Sequence, residues 1–190
     1  MSKIGLIVTS IAIFSANWAL AESSSSLNAT NGQWSARLGL DLSNELTADG
    51  YAADSLQEGV FIGFQYNRAF NKTESSIVEY NLGVSYAMGR DYEYPPSVSY
   101  SLDGAVVHAN LAYRFVKSNI YILGGINYGF ISDTPSIGQK VESDGFGAQV
   151  GIGFDRLDDI EVELVMQRLP TEGAIKIDTE TIQLAINFAL

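Results

Sequence analysis

Side chains able to do acid–base or nucleophilic chemistry are few in this sequence. There is a single histidine, His108, and no cysteine. Covalent hydrolysis needs a nucleophile with a base in reach, and a structural or catalytic metal needs a cluster of His, Cys or carboxylate ligands. In the stretch VVHANL, His108 is followed two residues on by Asn110, which is neither a nucleophile nor a strong ligand. Both are therefore read as polar residues hydrogen-bonded to their neighbours. No Gly-rich phosphate loop leads into a helix. The expectation is a protein that is not an enzyme and carries no cofactor and no metal. Five charged residues remain to be explained, because each stands in an otherwise apolar or small-residue stretch: Arg37, Glu79, Arg114, Glu161 and Glu163.

The element that positions them has a period of two. From Gln33 onward, apolar residues alternate with small or polar ones in eight segments: WSARLGLDLS, VFIGFQYNRAF, VEYNLGVSYAM, AVVHANLAYRF, IYILGGINYGF, FGAQVGIGF, IEVELVMQ and TIQLAINFAL. Such alternation predicts half-buried β-strands. Tyr121 and Leu123 blur the phase of the fifth segment. Eight strands of about 9–11 residues each is the count of a small membrane-spanning barrel.

Before the first strand the chain reads MSKIGLIVTSIAIFSANWALAESSSS. Lys3, a short apolar stretch and the small-x-small triplet Ala19-Leu20-Ala21 predict a cleaved signal peptide over 1–21. A flexible Ser-rich leader is expected over 22–32 and a barrel domain over 33–190. Of 11 basic and 22 acidic residues, cleavage removes only Lys3, which leaves 10 and 22 and a net charge of -12. That excess argues against nucleic acid as a partner. Without disulfides, the exported chain must be held by hydrogen bonds and packing alone.

Alternation does not say which face is inside. A soluble barrel would bury the apolar face. Three features favour the inverse arrangement. The polar face carries Gly39, Gly63, Gly83, Gly151 and Gly153, which suit a narrow lumen. Connections alternate between short ones (NKTESS, VKSN, DRLDD) and long ones around GRDYEYPPSVSYSLDG and its counterparts. Aromatic residues on the apolar face gather near strand ends, as at two membrane interfaces. With these features the chain resembles the small eight-stranded outer-membrane barrels of Gram-negative bacteria, the superfamily of the OmpA barrel, OmpX and the opacity-type surface proteins. The resemblance implies an all-β, transmembrane, antiparallel up-and-down barrel in the outer membrane, surrounded by its lipid and lipopolysaccharide. It also implies that the terminal ladder TIQLAINFAL is read by the barrel-assembly machinery. Barrels of the lipid A deacylase type place a Ser two residues after the His; here Asn110 stands there.

In that fold Arg37, Glu79, Arg114, Glu161 and Glu163 become a lumen charge cluster, with Glu79 opposite Arg114 and Arg37 near Glu163. Eight strands leave room only for side chains, so the cluster is expected to plug the lumen. The long segments hold thirteen acids (Glu45, Asp49, Asp54, Glu58, Asp91, Glu93, Asp103, Asp133, Glu142, Asp144, Glu172, Asp178, Glu180) against Arg90, Lys140, Arg168 and Lys176. Tyr92, Tyr94 and Tyr100 flank a Pro-Pro turn there and are candidate contacts for an extracellular protein or glycan. A structural or surface-interaction role is the principal expectation. The alternatives are a narrow porin-like channel and, third, a lipid-modifying enzyme.

Overall fold

The computed structural model describes residues 32–52, 55–56, 58–94, 98–135, 140–157, 159–173 and 175–190. The expected signal peptide, all of the expected leader but Gly32, and the expected Pro95-Pro96 turn lie outside the described residues. Eight long strands follow one another: β1 (Gln33–Ala48), β4 (Val60–Lys72), β5 (Ser76–Tyr94), β6 (Val98–Phe115), β7 (Ile120–Pro135), β8 (Val141–Leu157), β9 (Ile160–Gly173) and β10 (Ile177–Ala189). Two short strands, β2 (Tyr51–Ala52) and β3 (Ser55–Leu56), lie between β1 and β4. Each long strand pairs antiparallel with the next, and β10 pairs back onto β1 from Ser35↔Ala189 to Ala48↔Ile177. The ring leaves no open sheet edge along the closing pair.

The strands run longer than a bilayer requires. They reach 19 residues in β5, against the ~9–11 that suffice to cross. What the sequence suggested as long loops is in three cases a continuation of the hairpin. Only 95–97 separate β5 from β6, 136–140 separate β7 from β8, and 174–176 separate β9 from β10. The reason is local: segments such as SVSYSL keep the period-two, β-prone pattern, and each has a hairpin neighbour to complete its ladder. The asymmetry between the two ends therefore takes the form of strand overhang.

The first connection differs. β4 begins only at Val60, which pairs with Leu40 of β1 and Met88 of β5. Beyond that level no long strand lies between β1 and β5. The gap is spanned by β2, which pairs with Thr47 and Ala48, and by β3, which pairs with Tyr92 and Glu93. The chain turns between β1 and β2 at Asp49 and Gly50, both at positive φ (49° and 85°), a tight turn suited to Asp-Gly. Both strands beside the gap carry bulges, between Asp41 and Ser43 and between Ala87 and Arg90, the latter with Gly89 at φ 79°. Each bulge changes which residues face inward.

Along the first part of each strand, counted from the short turns, large apolar residues face outward: Leu111 is 60% exposed, Ile126 61% and Phe146 71%. Trp34, Phe70, Tyr113, Phe115 and Phe154 stand exposed near the short-turn end, and Tyr86, Phe130 and Phe146 near the other. Inward positions there are polar and buried, among them Arg37, Gln65, Asn81, His108, Asn127 and Glu163. That is the inverse of a soluble barrel. Past Leu42, Tyr86, Phe130, Phe146, Met166 and Ile182 the outward residues turn polar: Ser43 and Glu45, Ser132, Asp144, Arg168, Glu180. At the same level the interior becomes apolar, with Leu46, Tyr92, Leu102, Val106, Ile131, Leu169 and Ile177 packed together. The overhang is thus built like a water-soluble barrel.

Candidate functional site

The lumen holds the polar groups that the apolar wall isolates from solvent, and they sort into tiers. Nearest the short turns, Arg114 is 4% exposed and sits among three carboxylates. It donates to Glu79 at 2.7 Å, to Glu161 at 2.8 Å and to Asp155, and its guanidinium lies 4.2 Å from the centre of the Tyr121 ring. β6 supplies the cation, while β5, β8 and β9 supply the acids. Register explains the meeting: Glu79 faces Ala112, one inward step from Arg114, and Asp155 is the cross-strand partner of Glu161.

In the middle tier Arg37 is paired with Glu163 and donates more weakly to Gln65 (3.3 Å) and Asn187 (3.4 Å). The Tyr121 hydroxyl donates to Glu163 at 2.8 Å and to Glu161 at 3.2 Å, which joins this tier to the one below. His108 bonds to Gln65 through Nε2 at 3.2 Å, and Asn110 accepts from Gln149 at 2.9 Å. Both are lumen residues, buried at 5% exposure. Two lumen glycines face rings: a methyl group on Gly153 would lie 2.1 Å from Tyr121, and one on Gly39 2.2 Å from Phe61. Close approach of large inward rings is what those glycines permit.

A third tier marks the change of polarity. Arg90 donates to Asp41 at 2.6 Å, and Gln183 donates to the other Asp41 oxygen at 3.0 Å. This pair ties β1 directly to β5 where β4 is missing, and the Asp41 amide donates to the Gly59 carbonyl at 2.9 Å. Above it lies the apolar cluster, into which the Tyr92 hydroxyl carries a bond to Asp133 at 2.7 Å.

Of the five charges singled out by sequence, the structure brings Arg114 together with Glu79 and Glu161, and Arg37 with Glu163. They form two linked tiers rather than one level, because barrel shear offsets the strands. Arg114 has three carboxylate partners, so Glu79 is not its sole counter-charge. Three expectations need correction. Tyr92 is not a surface contact: it is 3% exposed, and its ring stacks on Tyr100 at 4.9 Å. Asp133 (2%) and Arg90 (7%) are likewise lumen residues, not part of an acidic loop surface. For Arg90 and Tyr92 the cause is the bulge at Gly89, which reverses the parity that carried Tyr86 outward. Tyr94 lies in β5, and its side chain is outside the described residues. Sequence reasoning also missed Asp155, assigned to a turn, along with Asp41 and Tyr121. Tyr121 was detectable as the residue that blurred its segment's phase. Among the described residues no group of three His, Asp or Glu side chains is placed to hold a metal ion.

Comparison with known proteins agrees with this architecture. A family model described as outer membrane protein beta-barrel domain matches residues 6–188. No curated protein matches the chain. Among solved structures, Neisserial surface protein A superposes with a TM-score of 0.55 at 10% identity, over 83% of this chain and 98% of that one. Ail, the attachment invasion locus protein of Yersinia pestis, gives a TM-score of 0.51 at 13% identity, over 84% of this chain and 100% of that one. Ail in complex with the heparin analogue sucrose octasulfate gives a TM-score of 0.50 at 16% identity, over the same shares. At these identities the likeness is one of fold. With an apolar wall, a polar lumen, a closed eight-strand ring and a family match over nearly the whole chain, the chain belongs to the outer membrane protein beta-barrel domain family and is a protein of the outer membrane.

Proposed function

We propose that the protein is a closed, non-catalytic barrel with a structural or surface-interaction role, and that its overhanging strands form the part that meets partners. The observation that carries this reading is the filling of the lumen. Tyr121 and Asp41 are 0% exposed, and Glu163 and Leu102 are 1% exposed. Inward side chains fill these levels, and an ion would have to break the Arg37, Arg90 or Arg114 pairs to pass, each a buried contact costly to disrupt. The mature barrel in planar bilayers is expected to give no stable conductance steps. Reproducible steps would instead support the narrow-channel alternative.

The overhang is proposed to face the extracellular side, with both barrel termini in the periplasm, since strand overhang and longer connections belong to the outer side of such barrels. Protease applied to intact cells should cut around Gly50 or Pro95 and spare Lys72 and Lys117. The overhang's outward face carries Glu45, Glu142, Asp144, Glu172, Asp178 and Glu180, while Lys140, Arg168 and Lys176 are each paired with an acid. A polysulfated ligand like that bound by Ail would be repelled by this surface. A neutral or cationic protein or glycan is the favoured class of partner. Lipopolysaccharide and lipid would contact the apolar wall, and the β10 ladder is the segment offered to the assembly machinery. No catalytic role is proposed, because His108 is buried and bonded to Gln65, and among the described residues no hydroxyl hydrogen-bonds to it.

A further inference from the structure

We infer that Asp133 makes the apolar cap at the outer mouth a pH-sensitive lock, sealed while its carboxyl is protonated and loosened when it ionises. Asp133 lies on the overhang, beyond Phe130, the last large apolar residue on the outward face of β7. Its cross-strand neighbours are Leu102 of β6 and Val141 of β8. It is 2% exposed beside a cluster in which Leu102 and Ile177 are 1% exposed and Leu169 2%. One carboxyl oxygen accepts from the Tyr92 hydroxyl, and the other has no hydrogen-bond partner.

The polar and charged groups around it do not supply a counter-charge. From β5, Tyr92 is the single donor, and Arg90, which shares Leu102 as a cross-strand neighbour, is committed to Asp41 of β1. From β6, Tyr100 stacks on Tyr92, and Asp103 is on the outward phase. From β8, Glu142 is exposed and paired with Lys140. Leu46 of β1, Leu169 of β9 and Ile177 of β10 are apolar. An ionised carboxylate without a cation or several donors is poorly tolerated in such a place. Burial pushes the Asp133 carboxyl above its ordinary value, and the Tyr92 bond only partly opposes that.

The sign follows from linkage. The closed cap binds the proton more tightly than an opened, hydrated one. Its extra stability is fully present below the ordinary Asp value and fades as pH rises through the raised value. Between those two midpoints the ratio of closed to open cap changes by up to about tenfold per pH unit. Above a lumen held by ion pairs, the apolar cap thus has a neutral closure at its outer end.

The test is amide hydrogen exchange on the full barrel refolded in lipid vesicles, comparing wild type with Asp133→Asn at pH 8 and near pH 4. At pH 8, amides of 100–106 and 129–134 are expected to exchange severalfold faster in wild type, and near pH 4 the difference should vanish. Equal exchange at both pH values, or the same difference at both, overturns the proposal. Should Asp133→Asn fail to fold, Tyr92→Phe provides a second measurement. Removing the hydroxyl that favours the ionised form should move the wild-type transition to higher pH, and an unmoved or lowered transition overturns the proposal.

Discussion

Below the level of Leu42, Tyr86 and Ile182 the barrel wall is apolar outside and polar inside; above it the same strands are polar outside and apolar inside. Hydrogen-bond ladders run through both zones without a register shift in β6–β7, β7–β8 and β9–β10. The backbone is indifferent to which side is greasy, and the side chains obey whichever solvent each zone meets. In hydrocarbon the ladder must be closed and the polar groups collected in the lumen. In water the apolar side chains must be collected there instead. On β6, His108, Asn110 and Arg114 face inward in the lower zone and Leu102 and Val106 in the upper, all on one parity. On β1 and β5 the switch coincides with bulges that reset the parity.

The largest effect should come from removing a lumen cation. Arg114→Met leaves Glu79, Asp155 and Glu161 facing one another without a counter-charge. Breaking a buried pair in this way costs roughly 3–5 kcal/mol, read as a lowered urea midpoint in vesicles. Glu79→Gln should cost distinctly less, because Arg114 keeps two carboxylates. If the two variants lose equal stability, the tier does not share its charge as described.

Next comes the outer wall. Ile126→Arg places a cation on the hydrocarbon-facing surface and should cost roughly 2–4 kcal/mol, whereas Glu180→Arg, on the outward face of the upper zone, should fold as well as wild type. Comparable losses at the two sites would erase the boundary between the zones. Smaller again is the interior of the overhang: Ile177→Val removes one methylene from a residue 1% exposed and should cost roughly 0.5–1.5 kcal/mol. Local hydrogen exchange should show the loss in the overhang and not in the lower zone. The least is expected from Arg168→Gln. This exposed residue pairs with Asp178 at 2.7 Å, and that carboxylate holds its guanidinium above the ordinary arginine value. Solvent and salt screen such a pair, so no change of midpoint should be measurable.

The lower zone was legible in the sequence because, away from the irregularities at Ala69–Asn71 and Asp155–Leu157 beside the short turns, nothing there breaks the period. Every lipid-facing residue from Trp34 to Phe188 could be counted off by twos, and the charges on the opposite parity had to meet inside. The upper zone was not legible for the same reason in reverse. A bulge of a single residue cannot be seen in alternation, so Arg90 and Tyr92 read as loop residues and not as inward positions of β5. The polar outward residues of the overhang made paired hairpins look like loops. Asp155 was missed because its strand continues to Leu157, past the point where the apolar pattern stops. The grouping of partners across β5, β6, β8 and β9 depends on shear, which no single strand encodes.

The closing pair between β1 and β10 also has a kinetic consequence. Ser35 must find Ala189 and Ala48 must find Ile177, contacts between opposite ends of the barrel sequence. Joining the ends of a flexible segment of that length costs about 4 kcal/mol of chain entropy, on the logarithmic dependence of loop closure. No local contact offsets that cost before the ring is nearly complete. Hairpins such as β5–β6 and β7–β8 can form early from neighbours in sequence, so zipping β10 onto β1 is expected to be the slow, committing step of insertion. Because that single ladder runs through both zones, the hydrocarbon-facing belt and the water-facing crown should become protected at one common rate.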